Sequence, residues 1–323
     1  MSSENKKSCI VCGTSMEHYC YAQDYESKEN FAIKKCLHCG YGVTLIDSKV
    51  FESGRYYPQS YYGDQRRFLP ILETVFRLLS GVRKLRLKRA TRKLGKVLDI
   101  GCGPGWFLDS MRRSGWSVEG TEVTDFAARH AREHLGLTVH TEEMDFPESF
   151  DIVSIWHVLE HVEDPVVTLR NIRSCIVEDG TLLLAVPNFS SLEAKITRGN
   201  WFHLDVPRHL HHFSKNSLYK IIENAGFRVE RVSFFAIEYD FFSWIQSMQN
   251  SIGIKQNLLY KLIKGDLSYL PSNRFQAVFE IGLVLISFPI LALSALFMVP
   301  IVGSAKTGAT ITVIARPIAR DTM

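Results

Sequence analysis

The chain has 323 residues, of which 46% are hydrophobic and 22% are charged. This composition is that of a globular protein with room for one sizeable core and additions, and it excludes a long disordered chain. A formal net charge of +4 is too small to indicate a nucleic-acid-binding protein by itself. The opening residues lack an apolar segment. We therefore expect no signal peptide, a cytosolic setting and reduced cysteines.

Four of the seven cysteines form two Cys-x2-Cys pairs, each followed by a glycine. The pairs are Cys9 with Cys12 and Cys36 with Cys39. A tight turn of this kind presents two sulfurs, and four converging thiolates complete a tetrahedral zinc shell. The spacing therefore predicts a small structural zinc ribbon over residues 1–45, rather than a catalytic metal with an open position.

A tyrosine-rich segment and a basic helix follow over residues 46–96. The tyrosines fit either the lining of a substrate cleft or a linker folded onto the next domain, and they are Tyr56, Tyr57, Tyr61 and Tyr62. Apolar residues then recur with a helical period, and the last third of this helix, 83–96, is basic and contains no acid. Such a face is either solvated or in contact with anionic head groups or phosphates.

Strand and helix patterns alternate after this helix. Residues 97–100 predict a buried strand that runs into a turn containing Gly101, Gly103 and Gly105. The N–H groups at the start of the following helix can face a ligand. Further strands are predicted at 116–123, 137–140, 150–156, 180–186, 227–237 and 309–316. The pattern indicates an α/β fold with a nucleotide-type cofactor at one edge of a sheet.

The spacing of the glycines separates two classes of cofactor. A nicotinamide dinucleotide requires G-x-G-x-x-G, but here the third glycine comes one position early and Trp106 follows it. Glu122 ends the next strand, about 20 residues further on, where an acid can hold ribose hydroxyls. The pattern disfavours a dinucleotide and is compatible with another cofactor that contains a ribose.

Three strings carry a resemblance to a known family. VLDIGCGPG at 97–105 resembles motif I of class I S-adenosylmethionine-dependent methyltransferases. FDIVSIWHVLEHVEDP at 150–165 and VPRHLHHFSKNSLYKIIENAGF at 206–227 resemble the fourth-strand region and the segment after strand five in its small-molecule branch. The resemblance implies a seven-stranded Rossmann-like sheet with an antiparallel last strand, built from residues 97–237 and 306–318.

The same resemblance implies a binding site for S-adenosylmethionine across the carboxyl ends of the first four strands. The residues around its methionine part and ribose would be Asp99, Gly101, Gly103, Gly105 and Glu122. The residues flanking the adenine would be Met144 and Asp145, with Glu142 and Glu143 competing for the role of Asp145. Trp156 and His157 would lie near the sulfonium.

Transfer to a hydroxyl also requires a base, and histidine titrates near neutrality. The candidates are His157, His161, His203, His209, His211 and His212. Some sugar C-methyltransferases that begin with a zinc ribbon carry a similar Glu-His-Leu segment, whose histidine is the base. His209 and Leu210 match its last two residues, and Arg208 stands in place of the glutamate. We expect His209 to be the base, with His157 and His161 in the site, whereas His211 and His212 also fit a role in the core.

An apolar insertion, residues 238–305, separates the last two strands. Residues 281–305 carry no charge and are long enough to span a membrane. A single crossing is disfavoured because the flanking strands should be neighbours, and Pro289 and Pro300 are expected to divide the stretch into shorter pieces. A re-entrant hairpin, a surface-lying pair of helices and a buried pair stay open. The aromatic residues at 240–245 favour peripheral membrane attachment over an oligomer interface or a lid.

These features together favour methyl transfer to a sugar or lipid-linked glycan at the cytosolic face of a membrane. The partner would be a small-molecule or glycolipid acceptor. The alternatives are an rRNA or tRNA methyltransferase, a quinone or lipid methyltransferase, and a binding or scaffold protein with a degenerate cofactor site. An RNA acceptor is disfavoured because no Asn-Pro-Pro-Tyr motif follows the strand at 150–156. The intact Asp99, glycines and Glu122 disfavour a scaffold. The acceptor, the methylated atom and the oligomeric state stay open.

Overall fold

The computed structural model describes residues 8–47, 55–56, 81, 83–84, 94–141 and 149–319. Tyr57, Tyr61 and Tyr62, most of the basic helix, and the segment containing Met144 and Asp145 lie outside the described residues. The chain divides into two compact units. The first unit consists of residues 1–73, 187–217 and 234–311, and the second of residues 74–186, 218–233 and 312–323.

The strands are β1 (Met16–Gln23), β2 (Asn30–Cys36), β3 (Gly42–Thr44), β4 (Lys96–Ile100), β5 (Ser117–Thr121), β6 (Thr138–His140), β7 (Phe150–Trp156), β8 (Ile176–Pro187), β9 (His211–His212), β10 (Phe227–Ser233) and β11 (Thr310–Pro317). The α-helices are α1 (Trp106–Arg112), α2 (Asp125–Leu135), α3 (Pro165–Cys175), α4 (Leu192–Thr197), α5 (Lys215–Asn224), α6 (Ile237–Ser251), α7 (Leu258–Lys264) and α8 (Arg274–Ser304).

The second unit is built on a seven-stranded sheet with the order β10-β11-β8-β7-β4-β5-β6. The pairs β4–β5, β4–β7, β5–β6 and β7–β8 are parallel, whereas β10 and β11 are antiparallel. Apolar side chains of the central strands, such as Val97, Leu98 and Ile152, are fully buried, as expected for a parallel sheet covered on both faces. The predicted Rossmann-like fold with an antiparallel last strand is confirmed.

Two helices in this part of the chain have boundaries set by individual residues. The side chain of Asp164 caps α3 by accepting from the backbone N–H groups of Val166 and Val167. Gly226, with φ +85°, follows the end of α5. Two strands differ from the prediction by four residues at one end. β8 begins at Ile176 rather than at residue 180, and β10 ends at Ser233 rather than at residue 237.

The first unit contains a four-stranded sheet with the order β1-β2-β3-β9. All three of its strand pairs are antiparallel. The short strand β9 joins the histidine segment to the cysteine-rich segment, since Gly42 pairs with His212 and Val43 with His211. A two-residue strand has no periodicity of its own, so the sequence offered no signal for this pairing.

The apolar insertion forms α6, α7 and α8, and α8 is one continuous helix of 31 residues. The prediction that Pro289 and Pro300 divide it is wrong, because both prolines lie inside the helix. Each proline removes one backbone hydrogen bond. Val284, Ala295 and Val299 are nevertheless buried on either side of Pro289, and packing of this kind stabilises helices more than propensity does. The helix is long and apolar enough to cross a membrane, and 11% of its most apolar window is buried.

Candidate functional site

The three glycines of the turn after β4 all have left-handed backbone angles, with φ +68°, +56° and +82°. A Cβ on Gly101 would lie 2.3 Å from Cγ2 of Val158, and one on Gly105 would lie 2.6 Å from Cδ1 of Leu137. Packing therefore requires glycine at both positions. No described atom lies within 4 Å of the place that a Cβ on Gly103 would take. The backbone of Gly103 thus borders open space, and a cofactor can approach it closely.

Glu122, directly after β5, is hydrogen-bonded to this turn. Its Oε2 accepts from the backbone N–H of Gly103 at 2.9 Å, and its Oε1 accepts from the backbone N–H of Thr124 at 2.8 Å. A carboxylate oxygen has a second lone pair, so both oxygens can still accept from ribose hydroxyls. The position fits the predicted role of Glu122.

Asp99 of β4 lies just before the glycine turn and is hydrogen-bonded to the neighbouring strand β7. It pairs in register with Ser154 of β7, whose hydroxyl donates to Oδ1 at 2.5 Å. Burial raises the pKa of Asp99 to about 7, opposed by the Ser154 hydrogen bond and the charge of Arg83 and reinforced by the charge of Glu122. This carboxyl group is therefore balanced between its charged and neutral forms near neutral pH.

Trp156, His157 and His161 cluster at the carboxyl end of β7. The indole N–H of Trp156 is buried and has no hydrogen-bond partner among the described residues. The guanidinium of Arg83 lies 5.0 Å from the Trp156 ring centre. His157 has a φ of +53° and places Nδ1 3.3 Å from Oε1 of Glu160. A strained, non-glycine residue held in this way is often found at functional sites.

His209 belongs to the first unit and is almost fully buried. Its Nδ1 lies 2.8 Å from the carbonyl oxygen of His203. A carbonyl only accepts hydrogen bonds, so Nδ1 carries the proton and Nε2 is the basic nitrogen of the neutral ring. This tautomer is the one that a general base requires at Nε2.

Other polar residues of the histidine segment are used for structure. Arg208 is fully buried and forms ion pairs with Asp24 at 2.7 Å and Asp205 at 2.8 Å. His212 Nε2 lies 2.9 Å from Oγ1 of Thr44. His211 Nδ1 is hydrogen-bonded to the hydroxyl of Tyr41. The two adjacent histidines are thus both buried and hydrogen-bonded to residues of the cysteine-rich segment.

The four paired cysteines converge in the first unit. Sγ of Cys9 lies 3.5 Å from Sγ of Cys39, and Sγ of Cys12 lies 3.5 Å from Sγ of Cys36. All four sulfurs lie within 4.8 Å of one another. Four Zn–S bonds of about 2.3 Å in a tetrahedron require sulfurs about 3.8 Å apart. The donor set and its size therefore fit a zinc ion.

The glycine after each cysteine pair has the conformation that the two turns need. Gly13 and Gly40 have φ +73° and +74°. Their N–H groups donate to the carbonyl oxygens of Cys9 and Cys36 at 2.8 and 2.9 Å. The two pairs thus form equivalent turns.

Glu193 of α4 is a buried acid that was not among the predicted site residues. Its Oε1 accepts from the Trp201 indole at 3.0 Å, from Ser247 at 2.8 Å and from Ser243. Burial raises its pKa to about 7, opposed by the hydrogen bonds from Ser243, Ser247 and Trp201. No sequence signal pointed to Glu193, because its partners come from α6 and from the segment after α4. Ser154, the partner of Asp99, could have been found by aligning the two parallel strands.

Comparison with known proteins identifies methyltransferases. Residues 71–232 match a family described as a methyltransferase domain. The ubiquinone biosynthesis O-methyltransferase of Nitrosospira multiformis is 32% identical over 178 residues, which is 49% of this chain and 74% of that protein. The enzyme of the same name from Haemophilus ducreyi is 33% identical over 108 residues, 29% of this chain and 45% of that protein. The chain spans about half the length of the first curated relatives that it matches.

Solved structures also resemble the chain. A putative sarcosine dimethylglycine methyltransferase from Galdieria sulphuraria has a TM-score of 0.49 and 15% identity, covering 83% of this chain and 98% of that one. A methyltransferase from Archaeoglobus fulgidus that depends on S-adenosylmethionine has a TM-score of 0.46 and 18% identity, covering 84% of this chain and 100% of that one.

Proposed function

Because the chain belongs to the methyltransferase domain family, we propose that it transfers a methyl group from S-adenosylmethionine to a hydroxyl of a quinone-type or other lipid-soluble acceptor. The observation that carries the donor assignment is the glycine turn, where the backbone of Gly103 borders open space and is bonded to Glu122. The relatives named ubiquinone biosynthesis O-methyltransferase support the acceptor class. They favour the quinone or lipid alternative over the sugar or glycan that the sequence motifs suggested.

The residues of this chain would contribute binding, orientation and proton removal. When bound, S-adenosylmethionine supplies a methyl group on an already activated sulfonium. Glu122 would hold the ribose hydroxyls, and the open backbone at Gly103 would border the methionine part. Trp156 offers a buried N–H, with no partner among the described residues, at the carboxyl end of β7. The protein then has to align the acceptor oxygen and remove one proton.

His209 is the proposed base. Its Nδ1–H is fixed by the carbonyl oxygen of His203, so Nε2 would take the hydroxyl proton. The acceptor oxygen forms the new bond to the methyl carbon as the bond from that carbon to sulfur breaks. The products are a methyl ether, S-adenosylhomocysteine and one proton held on the imidazole.

A lipid-linked glycan is a second candidate for the acceptor. It is supported by the four-cysteine cluster and by the histidine segment, which share one sheet through β3 and β9. Zinc would have a structural role there, since four thiolates leave no open coordination position.

Two measurements test the proposal. Calorimetry with S-adenosylmethionine should give binding, and no binding at millimolar cofactor would refute every enzymatic version. Tritiated methyl transfer should then place the label in a lipid extract that contains quinone precursors, and not in RNA. His209→Asn should lower the rate about 100-fold or more, while His18→Asn, at an exposed histidine, should not. Label in the glycan fraction alone would select the second candidate.

A further inference from the structure

The outward face of α8 is apolar along its whole length. Exposed side chains recur every three or four residues, which places them on one face of the helix. They include Phe275, 90% exposed, Ile286, 70% exposed, and Leu293, 57% exposed. The face continues through Phe297 and Ile301. A contiguous apolar surface of this extent marks a contact site rather than a water-facing surface.

Two serines in the apolar stretch of α8, Ser287 and Ser294, face the other way and are hydrogen-bonded to α6. Ser294 Oγ accepts from the indole N–H of Trp244 at 3.0 Å. Ser287 Oγ accepts from the amide of Gln249 at 3.0 Å. A surface helix in water normally carries its polar groups outside and its apolar groups inside. The opposite arrangement in α8 suits a helix whose outer side faces hydrocarbon.

The described residues cover the inner side of α8 and leave its outward face open. Val284, Ala295, Val299 and Val302 are buried, and α6 packs against α8. These residues span about 27 Å at 1.5 Å per residue, so protein covers the inner side over most of the helix. A spanning helix would expose this covered side and its neighbours to the bilayer core as well.

The helix α6 cannot itself face hydrocarbon, because its polar side chains are buried and bonded within the protein. Gln246 donates to Asn250 at 2.9 Å, and Asn250 donates to Asn257 at 3.0 Å. Gln246 also accepts from the backbone N–H of Tyr260 at 2.8 Å. Transfer of such groups into a bilayer without their partners would cost several kcal/mol each. The geometry therefore favours α8 lying along a membrane surface.

Positive charges flank the apolar face. Near its N-terminal end, the backbone N–H of Lys255 donates to Glu280 at 3.3 Å, which places Lys255 beside the start of the uncharged stretch. The ammonium groups of Lys28 and Lys255 both lie over the ring of Tyr269, at 4.6 and 4.2 Å from its centre. Lys28 Nζ donates to the hydroxyl of Tyr269 at 2.9 Å and Lys255 Nζ donates to the carbonyl oxygen of Tyr269, so both ammonium groups are held at one place on the protein surface. Lys306 follows the other end of the helix.

We infer that the outward face of α8 docks on the surface of a bilayer containing anionic lipid, with the helix lying in the membrane plane and Lys28 and Lys255 at the level of the phosphates. The inference deepens the proposed function, since a lipid-soluble acceptor would be met at this surface. A second copy of the chain fits less well. The residues that most often dominate binding at protein interfaces are Trp, Tyr and Arg, and residues 281–305 contain none of these, although they contain Phe288, Phe297 and Met298.

The test is flotation of the full chain with vesicles of phosphatidylcholine, alone or with about one third phosphatidylglycerol. The wild type should float, and more so with the anionic lipid. Ile286→Glu and Leu293→Glu should each weaken partition into the vesicles at least tenfold. Each places a charge where the docked protein would bury an apolar side chain in the bilayer. The matched control is Val167→Glu, which makes the same change at an exposed valine on α3 and should float like the wild type.

Two further comparisons test the orientation and the charge. If the helix lies in the membrane plane, Phe279→Glu should weaken vesicle binding about as much as Leu293→Glu does. If the helix spans the membrane, the loss of binding should be largest for substitutions at its middle. Lys28→Gln and Lys255→Gln should each reduce the preference for anionic vesicles about fivefold.

Three outcomes would overturn the inference. The first is a wild type that stays unbound with both vesicle types, and the second is a loss that peaks at the middle of α8. The third is a dimer in the absence of vesicles that Leu293→Glu converts to a monomer, which would assign the face to a second copy. Calorimetry with S-adenosylmethionine on the same variants separates this question from the proposed function, since donor binding should be unchanged by Leu293→Glu.

Discussion

Replacing Gly103 by alanine should weaken donor binding while leaving the protein folded. No described atom lies within 4 Å of the new Cβ, so no steric clash adds to the cost. The remaining cost is that of a left-handed angle, φ +56°, which is about 1–2 kcal/mol for a residue with a side chain. The methyl group would, however, fill the space through which a cofactor reaches the Gly103 backbone. We therefore expect affinity for S-adenosylmethionine to fall at least tenfold, or about 1.4 kcal/mol.

The matched control is Gly136→Ala. Gly136 has a similar angle, φ +63°, and also has no described atom within 4 Å of a new Cβ. Gly136 follows α2 and precedes β6, so it lies at the amino ends of the parallel strands. The glycine turn lies at their carboxyl ends. Urea unfolding should give equal destabilisation for the two variants, whereas calorimetry should show lost affinity only for Gly103→Ala. Equal affinities in the two variants would refute the assignment of this turn to the donor.

Two further predictions concern the first unit. The pKa of Glu193 is raised from 4.5 to about 7, so the folded protein binds this proton more tightly and loses stability as the pH rises through this window. The loss amounts to about 3 kcal/mol, and Glu193→Gln should abolish it in urea titrations between pH 4.5 and 8. A pH dependence identical to that of the wild type would contradict this. For the cysteine cluster, emission spectrometry should find about one zinc per chain, and Cys36→Ser should remove it and lower the melting temperature. Cys20→Ser, outside the cluster, should keep the metal, and a zinc-free wild type would refute the site.

The glycine turn could be predicted from sequence because its parts are close together along the chain. Asp99, the three glycines and Glu122 lie within two consecutive strand-to-turn segments. A parallel sheet brings the carboxyl ends of such strands to one edge, whichever residues the later parts of the chain contain. Local pattern was enough to indicate an α/β fold and a ribose-containing cofactor. The resemblance to methyltransferases supplied the seven-stranded sheet and S-adenosylmethionine, and the match to the methyltransferase family agrees with both.

The first unit could not be predicted in this way because its contacts join distant segments. The pairing of β3 with β9 depends on residues about 170 positions apart, and the buried Glu193 depends on two serines of α6. The prediction of a helix break at Pro289 was wrong for a related reason. Proline costs about 3 kcal/mol in a helix interior, and the burial that offsets this cost comes from tertiary packing that the local sequence does not show.

The face that α8 presents is set by hydrogen bonds more than by apolar packing. Aliphatic side chains tolerate a helix that rotates or slides by one residue, since similar groups replace one another. Trp244 and Gln249 of α6 do not, because each needs a serine of α8 at a fixed place. A buried donor left without a partner costs about 1–3 kcal/mol, so a rotation that broke both bonds would cost about 2–6 kcal/mol. The two serines therefore fix which residues of α8 face outward.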